Sequence, residues 1–177
     1  MLVLAWELQA QTMCEFSKEE WMSGLAKMGV DTLEGLQKQL EPMRAKLEDP
    51  ATFKEIYAYA FTYYKEEVQK SITQETAIMV WDLLLKGRTD HYDNWLAFLN
   101  AEHNKPISKD TWVLFLEFTK QIEPDMSNYD PMGAIYVCTY QQHIDMHERA
   151  KLLCVCEPGA WPVLIDDYVE WHEQNCQ

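Results

Sequence analysis

Positive charge is scarce in this sequence beside negative charge. Fifteen Lys and Arg stand against 29 Asp and Glu, a formal net charge of −14 at pH 7. Nucleic acid needs a basic surface against its phosphates, so no nucleic-acid partner is expected. An anionic membrane surface is excluded on the same ground. Long apolar runs are missing as well, since none approaches the roughly 20 residues that span a bilayer. The opening Met-Leu-Val-Leu-Ala-Trp stops at Glu7 with no basic flank or cleavage pattern, and does not read as a signal peptide. The five cysteines, Cys14, Cys138, Cys154, Cys156 and Cys176, are odd in number and unevenly spaced. That pattern reads as reduced thiols in the cytoplasm or nucleus.

Motifs that carry chemistry are also wanting. There is no Gly-rich phosphate loop, no Gly-x-Ser-x-Gly and no His-Glu-x-x-His. Glu123, Asp125 and Asp130 cluster in one stretch but lack the Asp-x-Asp-x-Asp-Gly pattern with a closing glutamate, so calcium is not expected there. Cys138, His143, His147, Cys154 and Cys156 invite a zinc reading. Their spacings match no familiar finger, and incidental Cys and His in a flexible segment is the better account. Cys14 has no histidine close in sequence to activate it as a nucleophile. No metal, cofactor or catalytic residue is therefore assigned.

What is present is apolar and helical. Hydrophobic residues make up 47% of the 177, with seven tryptophans among them, enough to pack one domain around a real core. Ser17-Lys18-Glu19-Glu20 has the form of a capping box that launches a helix carrying Trp21, Leu25 and Met28 and ending near Gly29. Asp31-Thr32-Leu33-Glu34 starts the next helix, which Pro42 should kink or split. Phe53, Ile56, Tyr57, Ala60, Phe61 and Tyr64 form an apolar stripe after Pro50. Further helices are expected over Gln74–Lys86 behind Thr73, Tyr92–Glu102, Lys109–Ile122 behind Ser108, and Trp161–Glu173. Met126–Gly133 reads as a loop, and no stretch alternates well enough to predict a sheet. The fold class is an all-α helical bundle. The acidic surplus suits a basic protein partner through charge complementarity, although on composition alone plain solubility explains it equally well.

Several strings point further. They are Leu2–Trp6, Cys14–Glu20 (Cys-Glu-Phe-Ser-Lys-Glu-Glu), Trp81–Arg88 (Trp-x-Leu-Leu-Leu-x-Gly-Arg), Ile107–Trp112, Asp125–Asp130 (Asp-Met-Ser-Asn-Tyr-Asp) and Gly159–Trp171. Together they resemble the defective-in-cullin-neddylation family in its potentiating-neddylation domain, over Met1–Asp130 and Gly159–Trp171. The resemblance implies a helical domain with EF-hand-like helix pairs that bind no calcium, acting as a scaffold-type ligase. Such a domain holds the C-terminal domain of a cullin and the neddylation conjugating enzyme together. The rate gain is one of proximity and needs no catalytic side chain. The family's acidic cullin patch falls on Asp110, Ala160 and Asp166. Its apolar pocket for the acetylated N-terminus of the conjugating enzyme falls on Ala5, Leu8, Phe16, Tyr63, Val80 and Leu83.

Two departures from the family pattern accompany the likeness. The chain begins inside the family's helix, so an N-terminally incomplete single domain over 1–177 is expected, with one wall of the apolar pocket absent. In addition, Pro131–Pro158 intervenes where the family runs almost directly from Asn-Tyr-Asp into Gly-Ala-Trp-Pro. Its edges, Met132-Gly133-Ala134 and Pro158-Gly159-Ala160, look alike, as an insertion would leave them. The segment reads as a loop, with some helical character over Gln141–Leu153. A splice or gene-model variant that keeps the fold but has lost one binding surface is the alternative to an active scaffold.

Overall fold

The computed structural model describes residues 1–66, 68–130, 135–140 and 154–176. In chain order the elements are α1 (Leu2–Leu8), α2 (Lys18–Met28), α3 (Leu33–Lys38), α4 (Leu40–Ala45), α5 (Pro50–Tyr64), β1 (Ser71–Ile72), α6 (Gln74–Leu85) and α7 (Tyr92–Glu102). They continue with β2 (Ile107–Ser108), α8 (Lys109–Gln121), β3 (Ile135–Tyr140), β4 (Cys154–Gly159) and α9 (Val163–Asn175). The fold is all-α, and among the described residues it carries two small antiparallel pairs: β1 with β2, and β3 with β4. Among the described residues no helix is long and apolar enough to cross a membrane.

The local signals explain most helix ends. Ser17 accepts the Glu20 amide at 3.1 Å while the Glu20 carboxylate accepts the Ser17 amide at 2.7 Å, a complete capping box. Gly29 closes the same helix at φ 67, the left-handed conformation that glycine adopts without a Cβ penalty. Thr32 caps α3 and Asp49 caps α5, with Pro50 in the first turn where its missing amide is not needed. Helices α3 and α4 separate at Gln39. Pro42 therefore falls in the first turn of α4 rather than at a break, a position where proline is tolerated.

The chain forms two compact units. The first comprises Met1–Leu84 with Lys105–Lys109, the second Leu85–Asn104 with Asp110–Gln177. In the first, α1 packs against α2, α4 and α5. Its core holds Ile56, Tyr57, Ala77 and Trp81, all essentially inaccessible. Trp21, Leu25 and Met28 are only partly buried; the residue of α2 that goes fully inside is Gly24. The Tyr59 hydroxyl donates to the Ala10 carbonyl at 2.6 Å and so ties α5 to the end of α1.

In the second unit the tryptophans and tyrosines do the packing. Trp95 stacks on Phe115 at 4.1 Å and meets Tyr168 edge-on at 5.1 Å. Phe118 meets Tyr168, Trp161 and Tyr129. Aromatic pairs of this kind contribute about 0.5–1.5 kcal/mol each beyond the area they bury. They hold α7, α8 and α9 in one layer. His91, 2% exposed, caps this layer with its Nε2 on the Ile122 carbonyl at 2.8 Å.

The pairing of β3 with β4 differs from the expected loop. Ile-Tyr-Val-Cys-Thr-Tyr is rich in the β-branched and aromatic residues that suit a strand. It runs antiparallel to Cys154–Gly159, with Ile135 opposite Gly159 and Tyr140 opposite Cys154. The helical character expected over Gln141–Leu153 lies outside the described residues, as do His143 and His147.

Candidate functional site

The second unit carries Asp110, Ala160 and Asp166, the three residues expected to form the acidic patch. Asp110 stands in the first turn of α8, exposed, and pairs with no cation among the described residues. A negative charge at a helix N-terminus is favoured by the helix dipole. Ala160 is exposed immediately after β4. Asp166 lies in the first turn of α9, where the Pro162 carbonyl accepts its amide at 3.3 Å. Its carboxylate is half-buried and accepts the hydroxyl of Tyr129.

Trp161, only 7% exposed, anchors the entry to α9 through Phe118 at 5.4 Å. Ala160 and Asp166 thus flank a fixed aromatic anchor. Asp110 lies eight residues before Phe118 on α8, about 12 Å along the helix axis at 1.5 Å per residue.

The loop between α8 and Asp130 is built by its own polar side chains. Asn128 accepts the Glu123 amide and donates to the Gln121 carbonyl, both at 2.8 Å. Asp125 accepts the Ser127 amide at 3.0 Å, and the Ser127 hydroxyl first and this amide second hold its carboxyl below the ordinary aspartate range. Met126 adopts φ 60 and turns its side chain into the core. This loop delivers Tyr129, whose hydroxyl is pushed above the ordinary tyrosine range by burial first and by Asp166 second.

The six residues expected to line the apolar pocket all belong to the first unit, but they do not share one environment. Ala5, Leu8, Tyr63 and Val80 are sealed in the core. Leu8 is pressed directly against Gly24 of α2, so close that a Cβ there would come 2.3 Å from Leu8 Cδ2. Phe16 is half-buried and packs edge-on against Trp21 at 5.8 Å. It lines a cleft of about 530 Å³ whose other walls are polar and acidic: Gln11, Thr12, Glu15, Ser17, Glu19 and Glu20. Leu83 is 62% exposed and lies one helical turn from Met79, itself 50% exposed. Cys14 sits beside this region at φ 61, with its amide donated to the Tyr63 hydroxyl at 3.0 Å.

Residues 35–138 match the family model described as cullin binding, well over half of the chain. The chain belongs to this family. Its relatives include DCN1-like protein 5 of Bos taurus, 35% identical over 98% of this chain and 62% of its own length. The defective in cullin neddylation protein 1 of Caenorhabditis elegans is 33% identical over 99% of this chain and 58% of its own. Human DCN1-like protein 4 is 37% identical over 99% of this chain and 51% of its own. The motif resemblance to the defective-in-cullin-neddylation family is thus a true family relationship, while the chain spans only half to two thirds of these relatives. Of the three residues expected to form the acidic patch, Asp110 falls within the matched range; Ala160 and Asp166 follow it. The sequence reading overlooked two residues around these sites. Gly24 sits mid-helix with no turn to mark it. Tyr129 meets an acid 37 positions away, a pairing that no local pattern announces.

Proposed function

We propose that this chain acts in cullin neddylation as a non-catalytic scaffold that binds the basic surface of a cullin C-terminal domain through Asp110, Ala160 and Asp166. One observation carries the proposal: two acids stand in the first turns of α8 and α9, and neither is neutralised by a cation among the described residues. A strongly acidic chain adds long-range attraction for such a partner. Asp110→Lys tests it. Binding to a cullin C-terminal domain, measured by calorimetry, should weaken by roughly 2–5 kcal/mol with the circular dichroism spectrum unchanged. Unchanged affinity would overturn the assignment.

The same scaffold would hold the conjugating enzyme through its acetylated N-terminus on the first unit. The exposed Leu83 and the surface-lining Phe16 support this. The pairing of β1 with β2, each just ahead of a helix, supports the EF-hand-like reading of the helix pairs. An acetylated N-terminal peptide of that enzyme should bind the wild-type chain and lose affinity with Leu83→Asp.

A second reading has its own observation. The β3–β4 pair ends at Gly159, the residue before Ala160. A ribbon rooted inside the patch is what a form that keeps the fold but has lost its cullin surface would carry. Cullin binding by the intact chain separates the two readings.

A further inference from the structure

The Tyr129 hydroxyl donates to Oδ1 of Asp166 across 37 positions of sequence. Neither partner depends on the other for its place. The Tyr129 ring lies against Trp161 at 6.4 Å, inclined by 30°, and against the buried Phe118 at 6.2 Å. Its backbone amide donates to the Met126 carbonyl at 3.0 Å, inside the loop that Asn128 ties to the end of α8. Asp166 is set by the first turn of α9, behind the anchored Trp161. A ring fixed by its own packing and an aspartate whose backbone is fixed by its own helix therefore meet in one hydrogen bond. It occupies one carboxylate oxygen and leaves the other to accept from a partner.

An aspartate in the first turn of a helix can turn several ways, including back onto its own helix amides. We propose that Tyr129 is a positioning residue for the docking patch: its hydroxyl holds the Asp166 carboxylate in the orientation that receives a lysine or arginine of a basic protein partner. The inference rests on the cullin-binding reading above and adds to it the residue that prepares the acid. A carboxylate oriented before encounter spares the complex the entropy of ordering that side chain, about three- to tenfold in affinity.

The test uses four full chains: wild type, Tyr129→Phe, Asp166→Asn and the double variant. Each is titrated with a cullin C-terminal domain in a calorimeter. Tyr129→Phe keeps the ring and its stacking, so the melting temperature should hold. It should weaken binding roughly three- to tenfold in the wild-type background and have no effect in the Asp166→Asn background. A readout without any partner accompanies it. Asp166→Asn should lower the pH at which Tyr129 titrates, followed by NMR on ring-labelled tyrosine, because the carboxylate now opposes ionisation. If Asp166→Asn weakens binding but Tyr129→Phe does not, the positioning role is overturned and the cullin reading stands. The role is equally overturned if Tyr129→Phe costs the same in both backgrounds, or if the Tyr129 titration does not move. If Asp166→Asn leaves binding unchanged, the reading of Asp166 itself fails and the inference falls with it.

Discussion

The indole N–H of Trp81 donates to the hydroxyl of Tyr57 at 2.7 Å, and both side chains are buried, at 0% and 1% exposure. This is a polar pair set inside an apolar core, where losing one member removes this hydrogen bond from the other. Tyr57→Phe keeps the shape and removes the acceptor that the indole uses. It should destabilise the chain by about 0.5–1.5 kcal/mol, the net contribution of one intramolecular hydrogen bond. Urea unfolding followed by tryptophan fluorescence measures it. Tyr64→Phe, made on the same helix at a half-buried site, should cost less.

Gly24 offers a sharper test of packing. Alanine is the better helix former by about 1 kcal/mol. Yet a Cβ at position 24 would stand 2.3 Å from Leu8 Cδ2 and 2.9 Å from Leu8 Cα. A side-chain tip can swing away, whereas a backbone carbon moves only with its helix. Overpacking should therefore win, and Gly24→Ala should lower stability by about 1–2 kcal/mol net. Differential scanning calorimetry would record a lower melting temperature. Gly29→Ala should also destabilise, through strain at positive φ with nothing within 4 Å of its Cβ, and so serves to separate strain from clash.

The pH dependence has a definite sign. Burial, and then the neighbouring His91, hold His172 below the ordinary histidine value of 6.5, against the opposing pull of Glu173 and Asp125. A histidine harder to protonate in the folded state binds fewer protons than its unfolded counterpart. Stability is thus fully present above the unfolded value and is lost as pH falls through 6.5 toward the folded value, below which this contribution levels off. Melting temperatures taken from pH 7.5 to 5.5 should decline, and His172→Gln should flatten that decline. The carboxyls of Glu20, Asp49 and Asp125, held low by hydrogen bonds, act in a separate window below the ordinary carboxylate range.

Removing Ile135–Ala160 joins Ala134 to Trp161 and restores Met-Gly-Ala-Trp-Pro across the junction. The Ala134 that replaces Ala160 keeps the small residue in the patch. The deletion should strengthen binding to a cullin C-terminal domain and raise the melting temperature. Loop closure contributes only modestly, since its entropy grows slowly with length. Affinity and melting temperature both unchanged would mean that the segment is harmless to the patch.

The helices were legible because their signals are local. A capping box at Ser17, a left-handed glycine at Gly29 and a threonine cap at Thr32 are each complete within a few residues. Trp95, Phe115, Phe118 and Tyr168 all fall on helices expected from the sequence, but which rings would touch could not be read there. The strand pair β3–β4 escaped because pairing depends on a partner 14 to 24 positions away, although Ile-Tyr-Val-Cys-Thr-Tyr carried β-forming residues in plain view. At the acidic patch, Asp110 could be placed at a helix start from sequence alone. That Asp166 would be half-buried under a tyrosine hydroxyl could not, since it depends on how a loop folds onto another helix.

The register of β3 and β4 has a consequence for access. Ile135 faces Gly159 at one end and Tyr140 faces Cys154 at the other. Five steps of antiparallel strand, at about 3.4 Å each, put the far end roughly 17 Å from the root. The root is one residue from Ala160. Bulk is thereby added within that radius of the patch, whatever the charges do. A slender peptide presenting a lysine needs only a narrow approach, while a folded domain presenting the same lysine must bring its whole flank past the ribbon. The measured difference between those two ligands, matched in charge, would give the patch a size threshold, and the deletion should erase it.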